Sequence, residues 1–368
     1  MSDSEVILQQ RVVDAGNKKQ QLAIIGGMTK DFYGRAVVGE TLDIKNHQGI
    51  VDYDPTELVL TAKAGTPMVE VNRLLEENNQ MLGFEPPYFG KNATLGGTIA
   101  CGLSGPARPF RGSVRDFVLG VKILTGSGHV LKFGGRVMKN VAGFDVSRLM
   151  VGAMGTLGVI LEVSIKVLPK PASQITISIH QPNVNLAIQE MNRLHGKPWP
   201  ISAMSWYQDR VWIRLSGTDV GVTNAYQHIG GDLEEAGDQF WEDSREQSLP
   251  FFRDESPLLR VSCKAGVPGF DFQNSALDQD KSINEALIEW AGGVRWFKQS
   301  EAREANFPER LQEKAKELKG HMMWFRGGNR QGEVFMPLPS AVLTIQKNLK
   351  RAFDPQGILN VGRLYASF

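Results

Sequence analysis

The chain has 368 residues, 42% hydrophobic and 22% charged, with 41 Lys plus Arg against 40 Asp plus Glu. This suits two domains, or one large domain with a cap, and the near-neutral charge argues against a nucleic-acid or polybasic membrane-binding protein. Only two cysteines, Cys101 and Cys263, exclude a disulfide framework, a four-cysteine zinc site or an iron–sulfur cluster held by this chain alone.

The first residues, MSDSEVILQQRVVDAGNKKQ, lack a basic region followed by an apolar run, so no signal peptide is expected. No apolar stretch reaches the roughly 18 residues that span a bilayer. The expected location is cytoplasmic, with attachment to a membrane only through a partner. Residues 4–16 predict a short amphipathic helix with Ser4 as its cap. "QLAIIGG" predicts a buried strand running into a glycine turn. "ELVLTAKA" (57–64) predicts another strand, followed by a helix that Thr66 caps and Pro67 opens, with Met68, Val71, Leu74 and Leu75 on one face.

"FVLGVKILTGSGHVLKF" predicts a hairpin around TGSG. "VILEVSIKVL" (159–168) alternates, with Val159, Leu161, Val163, Ile165 and Val167 pointing one way. "PKPAS" (169–173) marks a domain boundary. Beyond it, "ITISIH", "RVWIRLSG" and "LLRVSC" predict strands, while "NEALIEWA" and "PERLQEKAKELKG" predict helices. A last helix is expected over roughly 340–352.

Glycine concentrates in three places. In "LAIIGGMTKDFYG" (22–34) a strand ends in Gly26-Gly27, followed by Thr29. Successive N–H groups in such a turn can form a concave anion site, and a Thr hydroxyl adds a donor. A diphosphate is a suitable guest, and a plain strand–helix turn is the competing reading. Next, "TLGGTIACGLSGPARPFRGSVRDFVLG" (94–120) holds Gly96, Gly97, Gly102, Gly105, Gly112 and Gly120. Its small residues suit a long flat ligand lying along the main chain. The last, residues 139–171, passes through Gly152, Gly155 and Gly158 into a long strand whose backbone can bond a heterocycle. Neither G-x-G-x-x-G between strand and helix nor a P-loop occurs, so a bound dinucleotide requires another fold.

Together, "IIGGMT", "ATLGGTIA", "RGSVRDFVLGVKILTGSG", "KNVAGFDVSRLMVG", "GTLGVILEVSIKVLP" and "DPQGILNVGRLY" resemble flavoproteins of the vanillyl-alcohol-oxidase type, with a PCMH-type FAD-binding domain. Segments such as "QFWEDSREQSLPFF" and "WAGGVRWFK" are similar to the glycolate-oxidising branch of that family. The resemblance implies an α+β chain: a PCMH-type FAD domain of two α/β subdomains (1–170), an α+β cap (171–338), and a C-terminal helix and tail returning to the FAD domain (339–368).

It also implies that Gly26, Gly27 and Thr29 cradle the diphosphate of FAD. Gly96, Gly97 and Thr98 would lie along the diphosphate and ribityl region, and Ser104 and Gly105 would continue that wall. Gly158, Val159 and Ile160 would present backbone towards the adenine, with Asn360 and Arg363 folding back. No histidine stands where covalent attachment is usual, so FAD is expected to be dissociable, and no metal is expected. The implied reaction oxidises a 2-hydroxy acid, glycolate to glyoxylate or D-lactate in the alternative. The implied partners are a larger FAD-binding subunit and an iron–sulfur subunit.

No catalytic residue follows from the sequence. The cap motif His-x-Gly-Asp-Gly-Asn of larger relatives is missing; "GHMMWFRGGNRQGE" (320–333) is its nearest counterpart. Electron relay, or a structural role, therefore competes with substrate oxidation at this subunit. His321 is a candidate base or ligand, Arg111, Arg115 and Asp116 are candidates to orient flavin or substrate, and Arg326 and Arg330 are candidates to grip a carboxylate. Structural or solvated roles are the alternative for each. Cys101 reads as a small buried residue in the flavin wall, and Trp290, Trp296 and Phe297 as cap core or partner surface.

Overall fold

A computed structural model describes residues 2–135, 145–269, 286–299 and 305–368. Two compact units emerge. The first comprises Met1–Ser104, Gly112–Lys170 and Asn329–Phe368; the second comprises Gly105–Arg111 and Pro171–Gly328. Apart from Gly105–Arg111, the chain leaves the first unit at 171 and returns at 329, where 339 was expected.

In the first unit, the helix Asp3–Lys18 buries Leu8, Val12 and Ala15 at helical spacing. Ser2, not Ser4, occupies its cap position. The Ser4 hydroxyl lies 2.9 Å from Nδ1 of buried His47 instead. Strand Leu22–Ile25 follows and pairs in parallel with Glu40–Asp43. Leu359 bridges Leu22 in parallel as well, adding the chain's end to this small sheet.

A five-stranded antiparallel sheet forms the larger part, in the order Ile50–Asp54, Val59–Lys63, Val159–Lys166, Val118–Leu124, Val130–Gly134. The last two are the expected hairpin, with Leu124 opposite Val130. The alternation read for 159–168 places one face inward, but Ile160 and Ser164 are also buried, at 5% and 7% exposure. A central strand has both faces covered, which period-two patterning alone does not reveal. Helix Met68–Glu77 buries Met68, Val71 and Leu75. Its cap position is Pro67, because the Thr66 hydroxyl is engaged with Gly49, accepting from its N–H at 2.9 Å.

The second unit is built on an eight-stranded antiparallel sheet. Its order is Asp232–Leu233, Ser173–His180, Arg210–Gly217, Ile201–Tyr207, Leu287–Glu289, Val294–Lys298, Leu258–Ser262, His321–Arg326. Helix Phe307–Glu317 forms as expected and buries Leu311 and Ala315. "NEALIEWA" does not form the expected helix. Residues 284 and 285 lie outside the described residues, and Leu287–Glu289 is a buried strand between Ile201–Tyr207 and Val294–Lys298. Pairing on both edges outweighs the helical propensity of its leucine, alanine and glutamate. Trp290 and Ala291 then take positive φ in a tight turn.

Gly105–Arg111 groups with this unit because Phe110 packs against its core. Arg111 also donates to the Ser216 hydroxyl at 2.9 Å. Among the described residues no helix is long and apolar enough to cross a membrane.

Candidate functional site

A cavity of about 530 Å³ opens in the first unit. Its wall includes Gly26, Gly27, Thr29, Gly96, Gly97, Gly158, Ile160, Asn360 and Arg363. All three glycine-rich segments therefore meet at one place, although residues 139–144 of the last lie outside the described residues.

The turn after Leu22–Ile25 supplies the donors. The N–H of Leu22 is taken by the Ile358 carbonyl at 2.7 Å, and that of Ile24 by Asn360 Oδ1 at 2.7 Å. Gly26 is next on the same edge of the strand. Among the described residues, the N–H groups of Gly26, Gly27, Met28 and Thr29 donate to no protein acceptor. Met28 stands at φ 56°, in the left-handed region. Four consecutive unspent donors on a curled backbone form a concave anion site.

Residues 94–97 play a different part. The N–H groups of Leu95 and Gly96 are taken by the Thr66 and Ala64 carbonyls at 2.9 and 2.8 Å, and that of Gly97 by Thr94 Oγ1 at 3.2 Å. This segment offers surface, not donors. Its glycines, and those at 26 and 27, allow loops to touch. A Cβ on Gly27 would stand 1.6 Å from the Asn92 carbonyl oxygen, one on Gly26 2.7 Å from Thr94 Oγ1, and one on Gly96 2.6 Å from Ala64 Cβ. Glycine here brings two loops together behind the cavity and does not merely clear space within it.

Asn360 lines the wall with its amide already committed. Oδ1 accepts from Ile24, and Nδ2 donates to the Met154 carbonyl at 2.7 Å. It ties the chain end to both the strand and the Gly152–Gly158 loop. Arg363 Nη1 donates to the Arg35 carbonyl at 2.9 Å and approaches Asp31 Oδ1 at 3.5 Å.

Four expected residues fall outside the wall. Thr98 is 1% exposed, and its hydroxyl is buried without a partner. Ser104 Oγ accepts the Val114 N–H at 3.0 Å. Gly105 belongs to the second unit, where its carbonyl accepts from Trp290 Nε1 at 3.0 Å. Val159 is fully buried in the core.

Two basic residues absent from the expected cofactor set do line the cavity, Lys30 and Arg330. Lys30 is 7% exposed and donates to the Tyr88 carbonyl at 3.3 Å. Arg330 donates to the Phe32 carbonyl. Burial, and then the charge of Arg363, push the Arg330 guanidinium down to about 10. Lys30 was legible as the residue after the glycine turn; Arg330 was not, being distant in sequence. Cys101 lies in the wall as expected, and burial pushes its thiol up, away from reactivity.

The remaining candidates take structural roles. Asp116 closes a capping box with Ser113, accepting from its N–H and hydroxyl at 2.8 Å each. Arg115 donates to the Val151 carbonyl at 3.3 Å, and Arg326 to the Phe252 carbonyl at 2.9 Å. His321 sits on the edge strand of the second unit; crowding and Arg260 lower its pKa. Trp296 and Phe297 are buried in that unit, and Trp296 Nε1 donates to Glu289 at 2.6 Å. Among the described residues no cluster of three potential metal ligands occurs.

The description of an FAD binding domain matches residues 3–134. Glycolate oxidase subunit GlcE of Escherichia coli (strain K12) is 44% identical over 363 residues, covering 99% of this chain and 97% of that protein. The chain belongs to the GlcE family. Glycolate oxidase subunit GlcD of Bacillus subtilis (strain 168) is 30% identical over 154 residues, 42% of this chain and 33% of that protein. In fold the chain is similar to alkyldihydroxyacetonephosphate synthase, with a TM-score of 0.65 at 15% identity, over 96% of this chain and 73% of that one. This GlcE-family chain thus has the PCMH-type α+β fold expected of it, and its cofactor is FAD.

The cavity fits that cofactor. Its unspent N–H groups suit a diphosphate, and Ala23, Ile24, Ile44 and Ile160 add apolar wall suited to a flat ring. Gly26, Gly27, Thr29, Lys30 and Arg330 line this wall.

Proposed function

We propose that the cavity holds FAD without a covalent bond, and that the chain serves as a flavin subunit of a complex that oxidises glycolate to glyoxylate. The observation that carries this is the run of four unspent N–H groups at Gly26–Thr29 in a cavity wall. The same site residues expected from the sequence, Gly26, Gly27, Thr29, Gly96, Gly97, Gly158, Ile160, Asn360 and Arg363, would surround the cofactor, with Lys30 and Arg330 added. When bound, FAD would supply the hydride acceptor for oxidation at the α-carbon of the hydroxy acid. The protein's part is to hold the cofactor, shield it and exclude side chains from its path.

The proposed partners are a larger FAD-binding subunit and an iron–sulfur subunit, since two cysteines cannot furnish a cluster. Through them the chain would sit in the cytoplasm at the inner membrane. A second reading has this subunit relaying electrons while its larger partner oxidises substrate. It is favoured by residues 320–333, which carry one histidine and no aspartate. Anaerobic mixing of the isolated, flavin-loaded chain with glycolate separates the two. Bleaching of the flavin by glycolate alone establishes oxidation here, and bleaching only after the partners are added establishes relay. A purified chain that is colourless and takes up no added FAD refutes both.

A further inference from the structure

The first turn of helix Asp3–Lys18 is polar on its inward side. Leu8, Val12 and Ala15 continue the buried stripe, but Glu5 begins it, at 2% exposure, while Val6 and Ile7 are exposed. Glu5 Oε2 accepts from Lys122 Nζ at 2.8 Å, and Lys122 also reaches Glu162 Oε1 at 3.4 Å. Glu5 Oε1 is buried and makes no hydrogen bond among the described residues. Next to Glu5 in the chain, the Ser4 hydroxyl meets Nδ1 of His47, which is 1% exposed. Nε2 of the same ring is buried and also makes no hydrogen bond among those residues; the nearby Leu161 carbonyl already accepts the Ala64 N–H at 2.7 Å.

His47 belongs to a turn that reaches the cavity. Its N–H donates to the Ile44 carbonyl at 3.0 Å, and the Ile44 N–H donates to the Ile25 carbonyl at 3.0 Å. Ile44 and Ile25 both line the cavity, and Ile25 directly precedes the Gly26–Thr29 donors. The His47 carbonyl accepts the Gly65 N–H at 2.8 Å, which fixes the turn from its other side. Ser4 therefore holds the helix to a turn whose far end is cavity wall.

That contact is sensitive to one proton. An imidazolium must donate from both ring nitrogens, and Nε2 has no acceptor among the described residues. Lys63 and Glu162 face the ring from the five-stranded sheet and Glu5 from the helix, with Lys122 paired between the two carboxylates. Burial, and then Lys63, hold the imidazole below its ordinary pKa, against the pull of Glu5 and Glu162. Such a histidine stabilises fully above its unfolded value, about 6.5, and the contribution is lost as pH falls towards the folded value.

We propose that Ser4 and His47 form an acid-released latch: when the ring takes a proton, the first turn of the helix lets go and the cavity wall at Ile44 loosens, so the chain holds FAD less tightly in acid. The effect on FAD rests on reading the cavity as the FAD site; the latch itself does not.

Hydrogen–deuterium exchange of the full chain at pH 7.5 and 5.5, corrected for the pH dependence of the chemical step, tests the latch in the wild-type protein. The lower pH stays above the ordinary glutamate value, about 4.3. Opening of residues 3–8 should rise about five- to tenfold, since one proton contributes at most about tenfold per pH unit below 6.5. Strand Val159–Lys166 should change by less than about twofold, as a core element that does not open with the helix. His321, whose pKa is also lowered, lies in the second unit and is kept apart by reading these first-unit peptides. His47→Asn keeps a polar group without a titrating one and should hold the acid ratio at residues 3–8 within about twofold. His129 is exposed beside the same helix, where Gln9 donates to the Gly128 carbonyl at 2.8 Å, and His129→Asn should keep the full ratio. Ser4→Ala should raise opening roughly two- to tenfold at both pH values, the worth of one neutral hydrogen bond. FAD affinity, measured by fluorescence titration, should fall at least about twofold from pH 7.5 to 5.5 in wild type and stay level in His47→Asn.

Unchanged protection of residues 3–8 in acid, or the same acid loss in His47→Asn, overturns the latch. So does Ser4→Ala protein that exchanges as wild type does. Should His47→Asn fail to fold, the wild-type ratio and Ser4→Ala decide. Level FAD affinity while the helix opens overturns the link to the cavity wall. A wild-type chain that binds no FAD at either pH overturns the reading of the cavity instead, and exchange still decides the latch.

Discussion

Replacing Lys350 with methionine probes how the chain end is held against the cofactor cavity. Lys350 is the one buried residue of helix Ser340–Phe353, at 5% exposure. Its ammonium donates to the Thr156 carbonyl at 2.8 Å, the Leu359 carbonyl at 2.6 Å and Asp354 Oδ2 at 2.7 Å. The Asp354 side chain is fully buried and also accepts the N–H groups of Ile358 at 3.2 Å and Leu359 at 2.8 Å. Breaking a buried pair from one side costs about 3–5 kcal/mol, because a charge is left uncompensated. The two N–H groups that remain on Asp354 put the expected loss for Lys350→Met near the lower end, about 3 kcal/mol. Burial already pulls the Lys350 ammonium below its ordinary range, against the opposing pull of Asp354. Removing both charges should therefore cost less, so adding Asp354→Asn to Lys350→Met should recover at least about 1 kcal/mol. All seven tryptophans fall within 199–324, in the second unit, so their emission reports on that unit. Urea unfolding should therefore be followed by far-ultraviolet circular dichroism as well. Because Leu359 and Asn360 lie against the strand that leads to the donor turn, Lys350→Met should also release FAD more readily. A loss under about 1 kcal/mol, or a double variant no better than the single one, refutes the pairing argument.

Gly27→Ala should strip the protein of flavin on gel filtration, since its Cβ would meet the Asn92 carbonyl at 1.6 Å and one of two backbone segments must move. Gly362→Ala meets no neighbour within 4 Å but holds φ at 78°; it should lower stability by about 1 kcal/mol through strain alone, seen as a modest drop in melting temperature. Glu289 is buried in the second unit, where it accepts from Trp296 Nε1 and the Ser244 hydroxyl, and burial pushes its pKa up. A carboxyl with a raised folded pKa stabilises most below its unfolded value, and that contribution is lost as pH rises through the folded value. Stability should thus fall as pH climbs out of the ordinary carboxylate range, and Glu289→Gln should flatten that slope in melts taken across it.

Local patterning made much of the fold readable. The hairpin at 118–134, the helices at the two ends and the strand at 159–166 follow from alternation, helical spacing and glycine turns, which act between residues close in sequence. The failures share a cause. Leu287–Glu289 reads as helix locally but is held as strand by partners more than eighty residues away on one edge, at Ser205 and Trp206. Thr66 looked like a cap, yet its hydroxyl was already claimed by Gly49.

The site divides in the same way. Gly26, Gly27 and Thr29 were legible because a strand ending in paired glycines leaves N–H groups unspent, and that depends only on neighbouring residues. Which glycines clear room for a ligand and which let loops touch was not legible: Gly27 faces the Asn92 carbonyl, a contact between segments far apart in the chain. The sequence by itself determined the FAD-binding class and the glycine turn, because each is written in short motifs. The tertiary structure alone decided that Thr98, Ser104, Gly105 and Val159 lie away from the cavity and that Lys30, Arg330 and Arg363 share it. Charges sum in space and not along the chain, so their meeting appears only once the fold has closed.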